Sequence, residues 1–208
     1  MGVDVEVAHA VAAEELNERF GPVSPRAAVK VRDVVHEWAQ RFIARSPFMV
    51  LATASADGAC DASPKGGRPG FVLVVDEKTL LIPDYKGNAL FFGLRNIIEN
   101  PQVGLLFLVP GVEWTLRVGG RARIVDDPEL LDRFRQVVPD DRTVQLGIEV
   151  KVEEVYFHCP KSLVAARSSA QRSSPSIRRK SCSTRSRWVR RCAIFVQTAS
   201  SSSVAAML

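Results

Sequence analysis

Between Phe48 and Val125, short apolar runs are cut again and again by turn residues. Most of these runs are shorter than a helix requires, and the breaks between them contain Gly, Pro, Asn or Asp. This pattern predicts antiparallel strands joined by tight turns, and it disfavours a helical or doubly wound domain. Together with the alternating stretch Gln145–His158, the chain supplies about six strands, the number found in small closed barrels. The predicted fold class is therefore mainly β, a barrel with flanking helices.

Helical periodicity appears in four shorter segments. One helix is predicted before Gly21, and a second, with Val31, Val34, Val35, Trp38 and Phe42 along one face, ends at Pro47. Asn88 is interpreted as the N-cap of a third helix, and Asp127 begins a fourth. The apolar stripe expected to bury the third helix consists of Leu90, Phe91, Leu94, Ile97 and Ile98.

Charge is distributed unevenly along the chain. Residues 167–208 contain 12 serines, 8 arginines and no acidic residue, whereas residues 1–166 carry a net charge of −4. A net-negative body is a poor match to a nucleic-acid-binding domain. We predict three regions: an N-terminal helical extension (1–46), a barrel domain (47–161) and a Ser/Arg-rich tail (162–208).

The tail admits three interpretations. Its composition cannot bury enough apolar surface to offset chain entropy, which predicts disorder. Alternatively, an abrupt switch to Arg, Ser and Ala is what a shifted reading frame in a GC-rich gene produces, here from about Leu163. The third interpretation is a basic arm that binds nucleic acid or a membrane.

Several function classes are disfavoured by what the sequence lacks. The four cysteines show no CxxC spacing, so neither a zinc ribbon nor a thioredoxin-like site is predicted, and no metal site is expected. The longest apolar stretch, Val103–Val109, is far shorter than the roughly 20 residues of a membrane span. The N-terminus has acidic residues before its first arginine, unlike a signal peptide, which favours a cytoplasmic location.

Two lysines that could bind an anion lie in predicted turns. Lys65 follows Ser63, and Lys86 precedes Asn88, the predicted helix start. A phosphate monoester is well held by lysine ammonium groups and by backbone N–H groups at a helix start. Lysines in turns are also common simply as solvated residues, so composition alone leaves both interpretations open.

A resemblance to a known family favours the first interpretation. Residues from about Phe42 to Lys161 resemble the pyridoxamine 5'-phosphate oxidase-like, FMN-binding split-barrel superfamily, in particular a bacterial group of similar length. The matching segments are FIARSPFMVLATASADG, SPKGGRPGFV, DEKTLLIPDYKGN, LRNIIENPQVGLLFLVPGVEWTLRVGGRARIV and VEEVYFHCPKSL. The resemblance implies a six-stranded antiparallel Greek-key split barrel that forms a homodimer, with FMN in a groove between the protomers.

The residues implied to hold FMN fall on four segments. Two segments contact the phosphate, one strand touches the ring or the phosphate, and the last lies near the partner's flavin. In that order they are Ser63, Lys65 and Gly66; Pro83, Asp84, Lys86 and Asn88; Thr115 and Arg117; and His158 and Lys161.

The chain departs from the vitamin B6 oxidase itself, in which an Arg precedes the Lys that corresponds to Lys86. Tyr85 occupies that position here. The oxidase also holds its substrate phosphate with a C-terminal segment that contains Trp and Arg, whereas here that region is the Ser/Arg-rich tail, in which Trp188 has no comparable surroundings. The resemblance therefore implies an FMN-dependent oxidoreductase of unknown small-molecule substrate, with a nicotinamide electron donor and no assigned catalytic side chain. A deazaflavin-dependent reductase and a non-catalytic flavin-binding module are the alternatives.

Overall fold

The computed structural model describes residues 11–22, 24–87, 89–137 and 142–166. The chain divides into two units, residues 1–31 and 32–208. The described part of the first unit contains helices α1 (Ala13–Phe20) and α2 (Pro25–Ala28). The helix predicted before Gly21 is thus observed as α1, which buries none of its residues.

The second unit is built on one antiparallel sheet. Its elements in chain order are α3 (Glu37–Arg45), β1 (Phe48–Ala54), β2 (Cys60–Gly66), β3 (Leu73–Asp76), β4 (Thr79–Tyr85), α4 (Phe92–Glu99), β5 (Gln102–Leu108), β6 (Thr115–Val125), α5 (Pro128–Val137) and β7 (Val144–His158). The strand order is β2-β1-β5-β6-β7-β4-β3. The predicted mainly-β antiparallel class is confirmed, with seven strands in the described residues instead of about six and with the short β3 at one edge of the sheet.

The pleat of the strands gives the sheet an inner and an outer face. On β1, Met49 and Leu51 are buried, whereas Phe48 and Val50, which alternate with them, are exposed or half-buried. Side chains directly opposite each other on paired strands lie on the same face, so the register extends this division across the sheet. The inner face carries the core, including Met49, Leu51, Leu80, Ile82, Leu105, Phe107, Leu116, Val118, Ile148, Val150 and Val155.

The sheet curves until its edges approach each other. β2 is one edge strand and β4 lies next to the other edge, yet Lys65 of β2 contacts Asp84 of β4. Neighbouring strands are about 4.8 Å apart, so these two strands would be more than 20 Å apart in a flat sheet. An incompletely closed barrel, with both side chains on its inner face, follows from this contact.

The helices differ in part from their prediction. The second helix begins only at Glu37, so Val35 reaches the core from a non-helical segment. Trp38 lies within the helix but is 45% exposed, so it is not on the buried face that was predicted for it. The third, α4, begins at Phe92, so Asn88 is not its N-cap, and Leu90 and Phe91 precede the helix instead of lying on its buried stripe. The fourth, α5, begins at Pro128 as predicted, and Asp127 Oδ1 accepts the Leu130 N–H at 3.0 Å.

No helix in the described ranges is long and apolar enough to cross a membrane. The predicted tail lies outside the described residues from Arg167 onward. The domain boundary predicted at residue 46 stays a prediction, although α3, just before it, contributes Ala39 and Ile43 to the core of the barrel.

Candidate functional site

A cavity of about 270 Å³ opens at one end of the barrel. It lies between the inner face of β2, the end of β4, and the loop and first turn of α4. One wall is polar and the other is apolar. The polar wall consists of Asp61, Ser63, Lys65, Asp84 and Tyr85, and the apolar wall of Leu51, Leu90, Phe91, Phe92 and Leu94.

Strand alternation places the polar residues of β2 in this cavity. Ser63 lies opposite Leu51 and Lys65 opposite Met49, and both of these β1 partners are buried on the inner face. Lys65 was predicted in a turn but lies in the strand, because pairing with β1 continues to Gly66. Two of the predicted phosphate-contacting residues therefore point into the barrel.

Lys65 is paired with Asp84, another predicted site residue. Its Nζ donates to Asp84 Oδ1 at 2.5 Å. The Lys65 side chain is 20% exposed and that of Asp84 is 9% exposed. The pair thus joins β2 to β4 in a largely desolvated position, where charge-assisted hydrogen bonds are strong.

The first turn of α4 forms the opposite wall. Its N-cap, Phe91, is in the left-handed region with φ 56°, and Ala89 has φ 60°. Phe91 provides no side-chain hydrogen bond to the helix start. Backbone N–H groups of a first helical turn lack intrahelical acceptors, so this end of α4 offers donors to a ligand.

The rest of the second predicted segment lies at the margin of the cavity or away from it. Lys86 is exposed, and its N–H donates to Thr143 O at 3.0 Å. Its neighbours Tyr85 and Gly87 line the cavity, but the Lys86 side chain does not. Pro83 is buried within β4, and Asn88 lies outside the described residues.

Three of the four remaining predicted residues, Thr115, Arg117 and His158, lie on the outer face of the sheet. Thr115 is opposite His158, and Arg117 is opposite Tyr156. They alternate with the buried Leu116, so they cannot face the cavity. Lys161 is exposed beyond the end of β7.

The outer-face residues form a cluster of their own. The Arg117 guanidinium carbon lies 5.6 Å from the centroid of the Tyr156 ring, and an Arg117 nitrogen is 3.8 Å from Glu154 Oε1. The rings of Tyr156 and His158 are 4.9 Å apart between centroids. This cluster presents a cation, a phenol and an imidazole to the outside of the barrel.

An apolar patch adjoins the cluster on the same face. We define it as Phe48 and Val50 of β1 with Leu106 and Leu108 of β5. Leu108 is paired with Phe48 on one side and with Thr115 on the other. Leu106 is paired in the same way with Val50 and Arg117. All four side chains are exposed or half-buried, and Phe48 is 38% exposed.

Sequence reasoning missed four residues at the site. Asp61, Phe91 and Phe92 line the cavity, and Arg142 lies beside it. The Arg142 guanidinium donates to Gly66 O at 2.9 Å and lies 3.7 Å from the Tyr85 ring centroid, so it ties β2 to β4. Period-two alternation could have grouped Asp61 with Ser63 and Lys65, but no local pattern indicates Arg142. Within the described ranges, no group of three or more His, Cys, Asp or Glu could hold a metal.

Comparisons with solved structures give similarities at low sequence identity. HupZ from Group A Streptococcus is 16% identical, with 58% of this chain and 90% of that chain covered and a TM-score of 0.46. An FMN-binding protein from Syntrophomonas wolfei subsp. wolfei is 11% identical, with coverages of 58% and 84% and a TM-score of 0.45. An FAD binding protein from Mycobacterium smegmatis is 16% identical, with coverages of 61% and 97% and a TM-score of 0.42. No curated protein sequence matches the chain.

A family model settles the relationship that the sequence suggested. The model of pyridoxamine 5'-phosphate oxidase matches residues 35–159, which include all seven strands, the cavity and the outer-face cluster. The match spans more than half of the 208 residues. The chain therefore belongs to the pyridoxamine 5'-phosphate oxidase family.

Proposed function

We propose that the protein is an FMN-dependent oxidoreductase whose flavin is held between two copies of the chain. One observation carries the proposal: the predicted cofactor residues that lie within strands fall into two groups on opposite faces of one sheet. Ser63 and Lys65 face inward on β2, whereas Arg117 faces outward on β6, with β1 and β5 between the two strands. A single mononucleotide touches both groups only if a different protomer supplies each.

The size and chemistry of the cavity fit one end of FMN. Its volume of about 270 Å³ lies below the range of about 300–1,000 Å³ for pockets that enclose a drug-sized ligand. The rest of a flavin bound there would need a second surface to cover it. Hydroxyl, ammonium and carboxylate groups on one wall and Phe91 and Leu90 on the other suit a ligand with a polar chain and an aromatic ring.

The outer face supplies that second surface in this proposal. The apolar patch would be covered by the second copy, and burial of apolar area stabilises association by about 25 cal/mol per Å². The Arg117 guanidinium, in the adjoining cluster, would then stabilise negative charge on the reduced ring. When bound, FMN supplies hydride transfer through its isoalloxazine ring. A small-molecule substrate and a nicotinamide donor would react at the ring face that the protein leaves accessible.

The test of function starts with the colour of the purified protein. We expect the two visible absorbance bands of oxidised flavin, and mass spectrometry of the released chromophore should identify FMN. Anaerobic addition of NADH or NADPH should bleach both bands. A deazaflavin mass, or an apoprotein that fails to take up added FMN, would contradict the cofactor assignment. Bound FMN that no nicotinamide reduces would identify a non-catalytic flavin-binding module.

Dimerisation gives a separate prediction. Leu106→Asp should make the protein monomeric, because a second copy covering the apolar patch would desolvate the new carboxylate, and Arg117 opposite it already has Glu154 as its acidic neighbour. Such burial costs several kcal/mol, so the dimer Kd should rise about 100-fold or more. Leu106 is only half-buried within the protomer, so the barrel should remain folded. Size-exclusion chromatography with light scattering measures the mass.

The control is Gln102→Asp on the same strand and face. Gln102 is exposed and lies opposite Arg121, away from the apolar patch. This variant introduces the same charge and should remain dimeric. If Leu106→Asp keeps the dimer mass, the apolar patch is not the interface.

A further inference from the structure

The charge of Lys65 is already neutralised inside the protein. Its ammonium group is hydrogen-bonded to Asp84 at 2.5 Å, and both side chains line the cavity. Both are more than three-quarters buried, so water screens the pair only weakly. A ligand that enters the cavity therefore meets an ion pair and not a free cation.

A second carboxylate lies in the same cavity. Asp61 is on the same face of β2 as Ser63 and Lys65. Its Oδ2 lies 3.4 Å from the point that a Cβ would occupy if Gly93 had a side chain. The first turn of α4 thus faces a carboxylate of the protein itself. The charged side chains among the described lining residues are Asp61, Lys65 and Asp84, which sum to −1 at neutral pH. A phosphate dianion inside this lining would be repelled by it.

An ion pair suits an uncharged ligand group that both donates and accepts hydrogen bonds. The Asp84 carboxylate accepts from an O–H or N–H, and the Lys65 ammonium donates to an oxygen. The ribityl hydroxyls and the imide edge of a flavin have this chemistry, whereas a phosphate dianion only accepts. Lys86 is exposed beside the cavity, and its side chain forms no ion pair with a carboxylate of the described residues.

We infer that the Lys65–Asp84 pair binds the uncharged hydrogen-bonding part of the flavin, and that the phosphate lies outside the cavity, near Lys86. This inference rests on the proposed function, and it revises the part of FMN that Lys65 contacts. Lys65 and Asp84 then determine the affinity for the flavin itself, with or without its phosphate. Lys86 determines the preference for FMN over riboflavin.

Riboflavin, which lacks the phosphate, separates the two roles. The Kd values of FMN and riboflavin are measured by quenching of flavin fluorescence for the wild-type protein and for Lys65→Gln and Lys86→Gln. Lys65→Gln should weaken both ligands about tenfold or more and leave the ratio of the two Kd values within about twofold of wild type. Lys86→Gln should weaken FMN about tenfold or more and leave riboflavin unchanged.

Lys65→Gln leaves Asp84 without its partner, which lowers the stability of the barrel. The double variant Lys65→Gln with Asp84→Asn removes both charges and keeps donors and acceptors, so it provides the second measurement. Its ratio of Kd values should also stay within about twofold of wild type. A loss confined to FMN in either variant overturns the inference and leaves the proposed function intact. A wild-type protein that binds neither flavin overturns the proposed function and the inference with it.

Discussion

The protein carrying both Lys65→Ala and Lys86→Ala should purify without FMN while its barrel stays folded. Each lysine is expected to supply a charge-assisted hydrogen bond, which contributes about 1.5–3 kcal/mol. Loss of two such bonds weakens binding about 150-fold to 20,000-fold, which moves a micromolar Kd to about 0.1 mM or above. Removing Lys65 also leaves Asp84 as an unpaired carboxylate in the cavity. The ratio of flavin to protein absorbance measures retention.

A matched control is the pair Lys78→Ala and Lys151→Ala. It removes the same two positive charges, but at the opposite end of β4, where Lys78 donates to Asp33 at 2.7 Å and Lys151 to Thr79 Oγ1 at 2.9 Å. This control should remain yellow, which would show that position matters and not net charge. If the Lys65 and Lys86 double variant retains full FMN, the assignment of these lysines to the cofactor is wrong.

The strands were predictable because successive side chains of a strand point to opposite faces, which leaves an alternation of apolar and polar residues in the sequence. The alternation from Thr115 to Val125 gave β6 its observed bounds, and that of Gln145–His158 differs from β7 by one residue. Alternation also predicts that Asp61, Ser63 and Lys65 share a face. It does not say which face is inside, since β2 is exposed or half-buried along its length.

The start of α4 was not predictable from local pattern. Leu90 and Phe91 fit a helical stripe, yet they are 52% and 42% exposed and precede the helix. Apolar side chains have the same signature whether they bury in a core or line a ligand cavity and an interface. Left-handed backbone at Ala89 and Phe91 is also unusual for residues with a side chain, so sequence gives no cue for it.

The partners at the site depend on how the sheet closes. Lys65 and Asp84 meet only because β2 and β4 approach across the open side of the barrel, and Arg142 reaches Gly66 across the same gap. No spacing along the chain encodes these contacts. Likewise, Arg117 and Lys65 lie on opposite faces because of the strand register, and the motifs that contain these two residues do not encode that register.

Gly120→Ala should destabilise the barrel strongly. The β6–β7 register shifts between Gly119 and Gly120, and a Cβ on Gly120 would lie 2.2 Å from Lys151 O. That atom is backbone, so relief requires displacement of the strand. Overpacking of this kind costs about 3 kcal/mol, which lowers the melting temperature by about 6–12 °C in a protein of this size. Thermal unfolding followed by circular dichroism measures the change.

Gly119→Ala is the matched control, one residue away on the other side of this register shift. The shift is a β-bulge, because Gly119 pairs with Glu154 and Gly120 with Val152, which leaves Glu153 of β7 unpaired. A Cβ on Gly119 meets only the Glu154 side chain, at 3.5 Å or more, which is ordinary contact. Its melting temperature should stay within about 2 °C of wild type. Equal melting temperatures for the two variants would contradict the close approach of Gly120 to Lys151 O.

The bulge also connects stability to the proposed site. It separates the part of β6 paired with Glu154, Tyr156 and His158 from the part paired with Val152 and earlier residues of β7. A one-residue slip there would move side chains to the opposite face of the sheet. Any Gly120→Ala protein that folds by such a slip should therefore lose the Arg117–Tyr156 pairing, and with it dimerisation and flavin retention. Gly119→Ala should keep both, because its register is unchanged.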